Sequence, residues 1–148
     1  MSDVQQPFVI ERNYDVPAAK VWQAITDPEQ MRQWYFDLPG FTPVIGYEFH
    51  FEGGPEDRKY IHRCRITEVV EGRKLSYTWR YEGYEGESLV TFELIPKGES
   101  STLLRLTHEG LHTFPASNPD LAKENFAAGW LHIIGTSLKD FLGQNATA

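Results

Sequence analysis

The sequence predicts an α+β domain: a curved antiparallel sheet wrapped around one long C-terminal helix, with two short helices after the first strand. Three observations carry this. From Gly46 to Glu109, stretches of period-two alternation follow one another with short turns between them. Two helix-start signals fall between Asp15 and Pro28. A single amphipathic pattern then runs from Asp120 to Leu142, long enough to cover the apolar face of a sheet. One domain is expected over residues 1–148, with an ordered core of about 7–143.

Each element follows from its residues. "FVIERNY" (8–14) reads as the first strand. Asp15 is the expected cap of a first helix, with Pro17 in its opening turn and Val21, Trp22 and Ile25 on one face. Asp27 caps a second helix with Pro28 at its first position, and Met31, Trp34 and Tyr35 share a face. In "YEFHF", Tyr47, Phe49 and Phe51 point one way. "GGPEDR" (53–58) has turn composition. In "YIHRCRITEVV" (60–70), Tyr60, His62, Cys64 and Ile66 oppose Arg63, Arg65 and Thr67. "EGRK" turns into "LSYTWRY" (75–81), where Leu75, Tyr77, Trp79 and Tyr81 alternate with Ser76, Thr78 and Arg80. After "EGYEGE", Val90, Phe92 and Leu94 form the next apolar row, and after "PKGESS" come Leu104, Leu106 and His108. "GLHTFPASNP" is a loop, and Asn118 before Pro119 starts the last helix. Phe126, Trp130, Ile134 and Leu138 are its apolar stripe, and Gly143 is expected to end it.

Composition removes several function classes. The net charge of -7 and pI near 5.2 leave no basic stripe for nucleic acid and oppose an anionic membrane surface. The one cysteine, Cys64, excludes an internal disulfide and fits a reducing compartment. The first residues show no signal-peptide pattern, and no apolar run approaches a membrane span, so a cytoplasmic location is expected. Neither monomer nor homodimer is singled out.

The inward stripe is rich in rings. Phe49, Phe51, His62, Cys64, Tyr77, Trp79, Tyr81, Phe92, Leu106 and His108 face Phe126, Trp130 and Ile134. Apolar walls with a few hydroxyl and imidazole handles are the composition of a small-molecule pocket. The competing reading is a closed aromatic core whose polar tips bond one another. Tyr hydroxyls need partners, and three on one face favour the pocket. In "QWYFDLPGF" (33–41), Trp34, Tyr35, Phe36 and Phe41 form either a lid over the mouth, made mobile by Pro39 and Gly40, or an end plug; Trp34 is counted with the pocket. His62, Cys64 and His108 lack any metal-ligand frame, so neither metal nor cofactor is expected. Cys64 with His62 or His108 is the one conceivable Cys–His pair, without a nucleophile signature beside it. Arg63, Arg65, Arg80 and Arg105 fall on the outer face, where pairing with Glu68 and Glu93 is expected.

Four stretches carry a resemblance to a known family: "VPAAKVWQAITDPEQMRQWY" (16–35), "KLSYTWRY" (74–81), "SLVTFELIP" with "LLRLTHEGL" (88–96 and 103–111), and "GWLHIIGTSLKDFL" (129–142). In their order and spacing the chain resembles the START-like helix-grip superfamily (SRPBCC), in the group related to the C-terminal domain of the heat-shock chaperone ATPase activator. The resemblance implies a seven-stranded sheet around the long helix, enclosing a cavity. Members of the superfamily bind lipids, plant hormones or polyketides, and a few cyclise polyketides. It therefore implies non-catalytic binding of a small hydrophobic or aromatic molecule between sheet and helix. Its alternatives are a chaperone-modulating interaction module with a role in stress response, and a polyketide cyclase-type enzyme using the same cavity with His108 or Tyr77 in acid–base work.

Overall fold

The computed structural model describes residues 7–35, 38, 40–53, 60–114 and 123–146. Strand β1 is Phe8–Tyr14, followed by helices α1 (Ala18–Thr26) and α2 (Pro28–Trp34). Strands β2 (Glu48–Gly53), β3 (Tyr60–Val70), β4 (Lys74–Tyr81), β5 (Ser88–Pro96) and β6 (Thr102–Glu109) come next. A 3-10 turn at Leu111–Thr113 leads towards α3 (Lys123–His132), a π turn (Ile133–Ser137) and α4 (Leu138–Ala146). The strands form a curved antiparallel sheet in the order β1-β6-β5-β4-β3-β2. Six strands are present among the described residues, where the resemblance implies seven. The turn at 54–58, Phe36, Pro39 and the helix start at Asn118 lie outside the described residues.

Period-two parity sets the two faces of the sheet. In β4, Leu75, Tyr77, Trp79 and Tyr81 are buried while Arg80 is exposed. Register carries this across the sheet: Phe51 opposes His62, His62 opposes Tyr81, Tyr77 opposes Val90, and Val90 opposes His108. The concave face is thus one continuous ring-rich surface, and the last helix lies on it through Phe126, Trp130 and Ile134. On the outer face Arg105 bonds Glu11 at 2.6 Å and lies 3.9 Å from Glu93. Glu68 pairs with Lys74 at 3.2 Å instead of with an arginine, because the bulge between Ile66 and Glu68 sets it opposite Ser76, two residues from Lys74.

Three local expectations are corrected. Pro17, not Asp15, occupies the cap position of α1, and no side chain caps that helix. Asp27 does cap α2, accepting the Glu29 N–H at 3.3 Å. Gly143 does not end the last helix, which continues to Ala146, since glycine weakens a helix without forbidding it. That helix is also not uniformly α. In the π turn the Leu138 N–H reaches back to the Ile133 carbonyl, and the buried Tyr14 hydroxyl donates to the Ile134 carbonyl at 2.6 Å. The Arg12 guanidinium covers Gly135, its Nε 3.7 Å from where a Cβ would stand. The first strand therefore grips the final helix at its widened turn.

Gly86 is fixed by its surroundings. Its φ is +101°, and a Cβ there would stand 2.4 Å from the Thr113 carbonyl oxygen. The Glu87 N–H bonds the Thr113 hydroxyl at 2.9 Å, holding the β4–β5 turn against the segment after β6. Gly86→Ala should cost about 3 kcal/mol, read as a shift of the urea midpoint. Gly98→Ala, with φ +102° and nothing within 4 Å, should cost only the conformational part, about 1–2 kcal/mol. Equal losses at the two positions would refute the contact argument.

Candidate functional site

All of the inward residues singled out in the sequence are buried, none more than 8% exposed. Their rings touch in sequence along the concave face. Phe49 meets Tyr77 edge-on at 5.2 Å, and Phe51 stacks on His62 at 4.5 Å and meets Trp79 at 5.7 Å. Trp79 in turn approaches Trp130 at 5.7 Å, and Phe92 meets Trp130 at 6.2 Å. Leu106 and Ile134 are fully enclosed beneath them. Phe126 packs on His108 at 5.1 Å.

The polar tips are paired in three groups. Trp130 donates its indole N–H to His108 Nδ1 at 3.0 Å, and His108 Nε2 lies 2.6 Å from the Ser88 hydroxyl. Because Nδ1 accepts, a neutral ring carries its proton on Nε2 and donates to Ser88, which passes its own proton to the Trp79 carbonyl at 3.2 Å. Burial holds His108 neutral, lowering its pKa to about 3. Both nitrogens are committed, so His108 is not poised as a base.

The second group is Tyr35 with Tyr77, whose hydroxyls are 2.7 Å apart. The third is Trp79, which donates to the Tyr81 hydroxyl at 2.9 Å. Burial raises all three tyrosines above their ordinary pKa, so they remain protonated; one hydroxyl of the Tyr35–Tyr77 pair donates to the other, and Tyr81 accepts from Trp79. His62 is lowered to about 4, mainly by burial, against which its hydrogen bond to the Tyr60 carbonyl works. Burial pushes the Cys64 thiol up, so no thiolate forms beside these imidazoles. Among the described residues no three His, Cys, Asp or Glu side chains are grouped to hold a metal.

Trp34 sits at one end instead of on the sheet wall. Its indole N–H bonds the Ala24 carbonyl at 2.9 Å and its ring stacks on Tyr35 at 5.0 Å. Phe41 is buried beside Phe49 at 5.1 Å. Tyr35 itself is half-buried, directly after α2, and reaches both Phe51 at 6.4 Å and Trp130 at 6.3 Å. The sequence reading places Tyr35 in a lid or an end plug and not among the pocket residues. It also passed over Ser88, although Ser88 shares parity with Val90 and Phe92, and Phe114, which bridges Tyr81 at 5.3 Å and Phe126 at 5.8 Å. A separate groove of about 440 Å³ opens on the outer face over β2, β3 and β4.

Known proteins agree with this architecture. The chain is similar to protein MLL2253 of Mesorhizobium loti, with 26% identity over 94% of this chain and 98% of that one and a TM-score of 0.74. CalU16 of Micromonospora echinospora is 26% identical, with 93% of this chain and 74% of that one covered and a TM-score of 0.68. DynU16, from the dynemicin biosynthetic locus, shares the fold at 21% identity and a TM-score of 0.75; the match covers 94% of this chain and 48% of that one. No curated protein sequence matches the chain. Among the described residues no helix is long and apolar enough to cross a membrane. The helix-grip arrangement of sheet and terminal helix is matched by the family model for "Activator of Hsp90 ATPase homolog 1-like protein" over residues 15–143, and the chain belongs to that family.

Proposed function

We propose that the protein binds a small apolar or aromatic molecule between the concave sheet and the C-terminal helix, without chemical conversion. The observation that carries this reading is the setting of Tyr35. Trp34, Phe51 and Trp130 surround its ring, and the Tyr77 hydroxyl meets its own. This is the environment that a phenolic or aromatic ligand needs, filled by the chain's own side chain. Outward rotation of Tyr35 exchanges one ring for another and frees the Tyr77 hydroxyl to orient the guest. His62, Tyr81 and the remaining rings form the surrounding wall. The commitment of both His108 nitrogens supports binding over acid–base catalysis.

Titration with 2-naphthol and naphthalene, followed by calorimetry, tests the reading. Tyr35→Ala should bind both more tightly than the parent chain, because the phenol no longer competes. Tyr77→Phe should weaken 2-naphthol about threefold to tenfold and leave naphthalene unchanged, the loss of one hydrogen bond. Failure of Tyr35→Ala to bind either probe while its far-ultraviolet circular dichroism stays native would end the proposal. The family description also supports a chaperone partner, which would contact the outer sheet. Arg105→Glu should then abolish capture of a chaperone and spare naphthol binding, whereas Tyr77→Phe should weaken 2-naphthol and spare the capture.

A further inference from the structure

The outer groove is unlike the interior. Its walls are mostly polar: Glu48, His50, Arg63, Arg65, Thr78, Arg80 and Glu87, together with Phe49 and Cys64, line a volume of about 440 Å³. That volume falls in the range of small-molecule sites. Register places Arg63 directly opposite Arg80, and Arg65 stands two residues further along the same face. Like charges directly opposed across a ladder are destabilising. Arg63 is neutralised by Glu82, to which its Nε donates at 2.7 Å. Arg65 and Arg80 are exposed, and among the described residues neither has a carboxylate within ion-pair distance. Glu48 is the register partner of Arg65 and Glu87 shares the groove, yet both carboxylates stand off.

The backbone beneath departs from a regular ladder. Pairing of β3 with β4 passes from Arg63 and Arg80 to Ile66 and Tyr77, skipping the positions between. There the Arg65 N–H bonds the Thr78 hydroxyl at 3.0 Å. The groove therefore lies where a side chain replaces a main-chain acceptor, just before the bulge at Ile66 and Glu68. Rule-breaking of this kind, opposed cations and an interrupted ladder under a concavity, concentrates at functional positions.

We infer that this groove is a second binding site, for a small polar molecule that carries a carboxylate or phosphate group beside hydroxyl groups. Arg65 and Arg80 donate to the oxyanion, for which guanidinium forks are geometrically suited. Glu48 and Glu87 accept from the ligand's hydroxyls. The site opens on the outer face, shares only Phe49 and Cys64 of its lining with the ring-lined interior, and does not depend on what that interior holds.

Nitrogen-15 NMR titration with citrate and with glucose 6-phosphate, at constant ionic strength, provides the test. At least one should give saturable shifts confined to residues 48–50, 63–65 and 78–80, and which one does so identifies the oxyanion. Arg65→Gln and Arg80→Gln should each weaken that binding about tenfold, the loss of one charge-assisted interaction. Both positions are exposed, so the folded spectrum should be kept. If one variant fails to fold, the other decides on the same readout. No saturable shift with either compound, or shifts that survive the substitutions, would overturn the inference.

Discussion

Trp130→Ala should lower the free energy of unfolding by about 3–5 kcal/mol, measured by urea denaturation followed with circular dichroism. The indole is 3% exposed and meets rings on three neighbouring strands, β4, β5 and β6, as well as Tyr35. It approaches Trp79, Phe92, Tyr35 and His108 at ring distances of 5.7 to 6.3 Å. Truncation removes those contacts and leaves a cavity that packed neighbours refill only in part. It also removes the donor to His108 Nδ1, leaving a buried acceptor without its bond. A domain of this size has about 5–15 kcal/mol in total, so the variant should be only marginally folded. Trp130→Phe separates the two contributions. It keeps much of the ring and loses the N–H, and about 1–3 kcal/mol is expected. A loss below about 1 kcal/mol for the alanine variant would mean that the helix is not held by this residue, and the account of the core would be wrong.

The second large effect is acid sensitivity. In the unfolded chain both histidines protonate near their ordinary pKa of about 6.5. In the folded protein His62 does so only near 4 and His108 only near 3. Between those limits the unfolded state binds more protons than the folded one, so stability is full above pH about 6.5 and falls as the pH is lowered. Each histidine adds a slope of about 1.4 kcal/mol per pH unit in that window. Among the described residues the ring neighbours of His108 are Trp79, Phe126 and Trp130, and burial alone lowers its pKa. Denaturation at a series of pH values from 7 to 4 checks the sign and the slope. His108→Gln, which can keep a bond to Ser88 without titrating, should flatten the curve by about one proton. An unchanged slope in that variant would show that the proton uptake lies elsewhere.

Much of the fold is legible because strand parity is a local property. Tyr77 and Trp79 announce their side of the sheet through Ser76, Thr78 and Arg80, with no knowledge of any other strand. The boundaries of α2 are equally local, written in Asp27 and Pro28. What stays hidden is long-range partnership. The chain of bonds through Ser88, His108 and Trp130 joins two strands and a helix, and no spacing rule relates those positions. The opposition of Arg63 and Arg80 depends on the register of β3 on β4, and the bulge after Ile66 shifts that register where Glu68 meets Lys74. The π turn was hidden for the same reason, since the hydroxyl at its Ile134 carbonyl comes from Tyr14, 120 residues earlier. The family assignment follows the local patterns and so could be read early. The identity of a guest depends on how rings such as Tyr35 stand against one another, which residue type alone does not encode.

The clasp between the first strand and the last helix has a consequence for biogenesis. Among the described residues β1 pairs only with β6, as in the Glu11–Arg105 bond that spans 94 residues, and Tyr14 finds its acceptor later still. During translation the hairpins from β2 to β6 can assemble as they emerge, but β1 must wait as an unpaired strand until β6 has left the ribosome. Closure is then a late, concerted step, and the nascent protein is most exposed to aggregation just before it occurs.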